Sequence, residues 1–144
     1  MILGATAAHS SNGASEMNRE KFAERFFHKR FRSRPTGYPV ATIAYYGPDD
    51  QTATKVAVGI VDSKDEVVEL KRWFVRAQDV RIDRAINDEI LSFIKEHNVQ
   101  RVAMAGRIIG CPHEEGIDYP EGSTCPQCPY WAKLDRWTGK VIRS

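Results

Sequence analysis

Apolar residues recur along this chain with two different periods, and the switches between them predict the order of its elements. Residues 1–16 (MILGATAAHSSNGASE) follow neither period. They are small and polar, hold too little apolar surface to offset the entropy of ordering, and are expected to be disordered. The pattern changes over residues 17–34. Phe22, Phe26, Phe27 and Phe31 recur at the spacing of one helical face, with Asn18 placed to cap the start and Pro35 to stop the helix. Arg19, Lys21, Arg25, Lys29, Arg30 and Arg32 stand between them, so the segment predicts a basic amphipathic helix.

Residues 35–144 read as one domain. Residues 38–46 (YPVATIAYY), 54–62 and 67–75 are β-branched and aromatic, and Gly47-Pro48-Asp49-Asp50 and Ser63-Lys64-Asp65-Glu66 separate them as turns. Three strands joined by short links predict an antiparallel meander. Tyr45, Tyr46, Trp73 and Arg76 are candidates to line an exposed face of it. Residues 79–98 carry the best helical stripe in the chain, Ile82, Ala85, Ile86, Ile90, Phe93 and Ile94, with Arg81, Asp83, Arg84 and Asp88 expected on other faces. Asn98 suits a left-handed residue at its end. Residues 99–109 (VQRVAMAGRII) then predict a strand leading into Gly110.

The expected fold class is therefore α+β: an N-terminal helix, a three-stranded antiparallel meander, one long helix, a returning strand and a metal-binding loop. This β-β-β-α-β order resembles the opening half of the ribonuclease-H-like fold, in which the returning strand lies parallel beside the first. Right-handed crossover connections make that arrangement reasonable. The resemblance implies no nuclease, because that family's catalysis needs a carboxylate in the first strand and residues 40–46 contain none.

Composition adds little to this picture. Hydrophobic residues at 42% and charged residues at 28% are ordinary for a globular domain. The longest apolar runs fall far short of the ~20 residues that span a bilayer, so no membrane partner is expected. The charge is segregated beneath a net value of +2: residues 1–34 hold seven Lys/Arg against three Glu, residues 133–144 hold four Lys/Arg against one Asp, and residues 111–128 hold four acids and no Lys/Arg. Basic ends of this kind are the footprint of a polyanionic partner, either nucleic acid or an acidic protein.

The chemistry lies in residues 111–128, where all three cysteines occur. Three cysteines in one loop argue against a disulfide framework and for a reducing compartment, so a cytoplasmic location is expected. Cys111-x-His113 followed by Cys125-x-x-Cys128 supplies three thiolates and one imidazole, a complete tetrahedral set for Zn²⁺. Pro112, Pro126 and Pro129 preset the backbone after each cysteine. Glu114 is the alternative fourth ligand, since many knuckles use that spacing; imidazole, the commoner zinc ligand, favours His113. A carboxylate among Glu114, Glu115 and Asp118 is expected on the free ring nitrogen of His113.

His113-x-Glu115 with Cys125-x-x-Cys128 also resembles the signature of zinc nucleobase deaminases. That resemblance implies a hydrolase in which Glu115 shuttles protons. Against it, the link from His113 to Cys125 leaves no room for the elements that normally separate the half-motifs, and Thr124 stands where the signature has Pro.

After the cysteines, Trp131, Lys133, Arg136 and Trp137 interleave aromatic rings with cations. They either cover the metal loop or, with Arg25, Lys29, Arg30 and Arg32, contact nucleic acid or a protein partner. Three functions follow from the sequence: a non-enzymatic zinc-binding module acting as an adaptor or nucleic-acid-associated protein, a deaminase-type zinc hydrolase, and an oligomer or structural subunit of a larger assembly.

Overall fold

The computed structural model describes residues 12–123 and 125–132, with side chains from residue 18 onward. The first element, α1, is Asn12–Arg30. It begins earlier than the phenylalanine stripe indicates: residues 12–16, expected to be disordered, are helical, and Asn18 lies inside the helix rather than at its cap. Ala14, Glu16 and Met17 are good helix formers and extend it upstream. Residues 1–11 lie outside the described residues.

Strands β1 (Val40–Tyr46), β2 (Lys55–Val61) and β3 (Val67–Phe74) form the expected meander. A 3₁₀ turn (Val80–Ile82), helix α2 (Arg84–Glu96) and strand β4 (Arg101–Ile108) follow. The sheet order is β3-β2-β1-β4, with β4 parallel to β1 and the other pairs antiparallel. Asn98 turns the chain into β4 at a φ of 55°, the left-handed conformation that its short polar side chain tolerates.

One face of the sheet carries the core. Ala41, Ile43 and Tyr45 of β1, Val56, Val58 and Ile60 of β2 and Trp73 of β3 bury against Phe26 and Phe27 of α1 and Ile90, Phe93 and Ile94 of α2. Trp73 meets Phe93 edge to face at 6.0 Å and donates its Nε1 proton to Glu89. Tyr45 and Trp73, expected on an exposed face, are thus on the covered one: register places them opposite Val56, whose side of the sheet is buried. On the other face Thr42, Val67, Leu70 and Phe74 are exposed.

The predicted long helix is broken into the 3₁₀ turn and α2 because two aspartates cap in succession. Asp79 accepts from the Arg81 amide, and Asp83 accepts from the Ile86 amide. This break moves Ile82 to the surface and Arg81 to the interior, reversing the stripe expected for both. Arg81, 1% exposed, grips Asp79 with Nε at 2.9 Å and Nη2 at 2.8 Å. Asp79 also accepts from the Ala53 amide and lies 3.1 Å from Nε of Arg19. That last pair is close enough for charge attraction but not aligned as a hydrogen bond; Arg19 instead donates Nη2 to the Gln51 carbonyl at 2.7 Å. One buried carboxylate therefore joins α1, the β1–β2 loop and the entry to α2.

Candidate metal centre

The parallel pairing of β1 and β4 brings their carboxyl ends together. Beyond the strands, the Gly47 amide donates to the Gly110 carbonyl, so Cys111 starts where the sheet stops. From there the chain folds back on itself through its own hydrogen bonds. Asp118 and Gly116 amides donate to Glu114 and Tyr119 carbonyls, the Glu114 amide donates to Asp118 Oδ2, and the Gly122 amide donates to Glu115 Oε2 at 2.6 Å. Gly116 and Gly122 make the two reversals with φ of 83° and 86°, a region costly for other residues.

This path closes Cys125 and Cys128 onto Cys111 and His113. Nδ1 of His113 lies 3.2 Å from Sγ of Cys111, 3.4 Å from Sγ of Cys125 and 3.5 Å from Sγ of Cys128. All four donor atoms fall within 4.8 Å of one another, a group that could hold a metal ion. The three sulfurs are buried, and the His113 amide points at Cys111 Sγ at 3.3 Å in the manner of a knuckle. Burial pushes the Cys111 thiol up, with the His113 amide opposing; burial and then the neighbouring thiols push Cys128 up. A cation among the sulfurs would reverse that preference for the neutral thiol in Cys111 and Cys128.

The four residues brought together are the set expected from the spacing. Glu114 lies outside it. Its carboxylate receives Lys55 Nζ at 2.9 Å and Arg72 Nε at 2.6 Å, and it is held below its ordinary range chiefly by the hydrogen bond from Lys55. The three carboxylates expected to serve the His113 ring are committed elsewhere: Glu114 to Lys55 and Arg72, Glu115 to Gly122, and Asp118 to the Glu114 amide.

Lys55 is the residue that sequence reasoning missed. It opens β2, is 4% exposed, and donates to the Pro112 carbonyl at 3.1 Å as well as to Glu114. Its ammonium also faces the Tyr46 and Phe74 rings at 5.1 and 5.6 Å. A lone lysine at the start of a strand carries no local signal of this role. Trp131, in the short helix α3 (Pro129–Ala132), is buried and donates Nε1 to the Gly47 carbonyl at 2.7 Å. Of its two expected roles, covering the loop is the one its position matches. Lys133, Arg136 and Trp137 lie outside the described residues, whereas Arg25, Lys29, Arg30 and Arg32 are exposed along and just beyond α1.

Comparison with family models, with curated proteins and with solved structures returns no match to this chain. Among the described residues no helix is long and apolar enough to cross a membrane.

Proposed function

We propose that this chain is a non-enzymatic zinc module, an adaptor or nucleic-acid-associated protein whose Cys3His site holds the C-terminal loop against the end of the sheet. The observation that carries the reading is the set of three sulfur–Nδ1 distances between 3.2 and 3.5 Å. A tetrahedral zinc with bonds of about 2.3 Å to sulfur and about 2.0–2.1 Å to nitrogen requires an S···N edge of about 3.5 Å. Four protein donors fill a tetrahedron, which is the composition of a structural site rather than one that keeps a place for water. The engagement of Glu115 with the Gly122 amide further favours this reading over a deaminase-type hydrolase, whose proton shuttle must be free to reach the ion. The strand order, with β4 parallel to β1, supports a ribonuclease-H-like arrangement as scaffold; β1 offers no carboxylate, so no nuclease chemistry accompanies it.

Elemental analysis is expected to find one zinc per chain, and a strong chelator is expected to lower the unfolding temperature, because metal binding contributes directly to folding at structural sites. Co²⁺ in its place should give a tetrahedral thiolate spectrum unaffected by added anions. Substoichiometric metal, or a cobalt spectrum that shifts as an exchangeable water is displaced, would remove the structural assignment.

A further inference from the structure

Helix α1 separates its charges onto two sides. Glu20 and Glu24, one turn apart, lie toward β4: the Glu20 carboxylate sits beside Gly106, and Glu24 lines a hollow with Phe27, Val102 and Met104. Asn18, Phe22, Arg25 and Lys29 fall on the other side and line a groove of about 320 Å³. Phe26, Arg30 stacked on its ring and, from the first position of α2, Arg84 complete it. No Asp or Glu is among the described residues that line it. A neighbouring hollow shares Lys29 and Arg30 and adds His28 and Arg32, so the cations continue as a track past the end of the helix. Arg25, Lys29, Arg30, Arg32 and Arg84 are all exposed. Like charges gathered on one cleft repel one another, and a bound polyanion relieves that repulsion.

We propose that the α1–α2 groove binds the phosphodiester backbone of a single-stranded nucleic acid, with Arg84 among the contacts. The inference rests on the nucleic-acid-associated reading above and gives it a surface. A recessed groove between two helices suits a flexible strand, and Phe22, half-buried in its lining, offers a ring on which a base can stack. A bilayer is a less fitting partner: it meets the tips of side chains, and none of the described side chains of α1 is a large exposed apolar group that could insert. Arg84 enters from α2, beyond the reach of any pattern within α1.

Fluorescence anisotropy of the full chain with a labelled oligouridylate tests this directly. Binding is expected at about 50 mM salt and should weaken steeply by about 200 mM. Arg84→Ala, and separately the double variant R25A/K29A, should weaken it about tenfold or more and flatten the salt slope by about 0.7 for each phosphate that is no longer neutralised. Lys64→Ala, an exposed cation in the β2–β3 turn, should leave it unchanged. No binding at low salt, equal losses for Lys64→Ala, a preference for duplex, or binding to phosphatidylserine vesicles without oligonucleotide binding would each overturn the proposal. Zinc content measured on the same samples separates the two readings. Zinc retained without groove-dependent binding sinks only this inference; groove-dependent binding without zinc sinks only the metal site.

Discussion

The indole Nε1 of Trp131 donates to the carbonyl oxygen of Gly47 at 2.7 Å, and by this bond the short helix after the last cysteine is latched to the turn after the first strand. The partner cannot be adjusted to suit. A Cβ at Gly47 would lie 1.9 Å from the Thr52 carbonyl oxygen, so only glycine lets the turn pass this close. Trp131→Phe keeps a buried ring but strands the carbonyl, and should cost about 1–3 kcal/mol in urea unfolding. Trp131→Ala should cost about 3–5 kcal/mol and make zinc easier to remove with chelator. Equal stability of the phenylalanine variant and the parent would show that the latch contributes nothing.

Lys55 and Glu114 should behave as a coupled pair. Lys55→Met removes the donor shared by Glu114 and the Pro112 carbonyl, loosening the backbone between Cys111 and His113 and thereby lowering zinc affinity. A double-mutant cycle with Glu114→Gln, read by zinc competition against a chromophoric chelator, is expected to give a coupling of about 0.5–3 kcal/mol. Strict additivity would mean that the loop holds its shape without the sheet.

Asp79→Ala would remove the carboxylate that accepts from both Nε and Nη2 of the buried Arg81, a loss of about 3–5 kcal/mol in equilibrium unfolding. Adding Arg81→Met to Asp79→Leu should recover part of that loss, because an apolar pair of similar volume avoids the desolvation of two charges. If the single variant unfolds like the parent, the hub joining α1 to α2 is not a source of stability.

Tyr45 offers a pH test. Its hydroxyl is buried with no hydrogen-bond partner among the described residues, and burial pushes its ionisation well above the ordinary tyrosine range. The unfolded chain loses this proton near pH 10 while the folded chain keeps it. The stability tied to the neutral phenol is therefore complete below about pH 10 and is lost as pH rises beyond it. Tyr45→Phe should be neutral or stabilising at pH 7 and should flatten the alkaline decline in thermal midpoint. A variant as alkali-sensitive as the parent would assign that decline to other groups.

The element order and the four candidate ligands were legible in the sequence because both are local. Period-two and helical spacing name strands and helices within a few turns of chain, and two cysteine-bearing knuckles name a site whatever lies between them. Arg81 was not legible. A charged side chain on a helix reads as solvated, and only the packing of α1 and the β1–β2 loop around Asp79 makes burial the better place for it. The same limit hid Lys55, whose partners stand 57 and 59 positions away. It also reversed Tyr45 and Trp73, because alternation separates the two sides of a strand without saying which side the helices cover. The early start of α1 escaped for another reason: helix propensity alone, with no apolar stripe, extends it upstream.

Open sheets with neighbouring parallel strands commonly take their ligands in the crevice beyond the strands' carboxyl ends. In this fold that crevice lies past Tyr46 and Ile108, and the cysteine cluster with its indole cover fills it. A small molecule at this end of the sheet would meet the loop itself, at the hollow of about 320 Å³ that Lys55 and Arg72 line with Cys111 and His113. The recognition proposed above falls instead on the cationic cleft that α1 shares with Arg84.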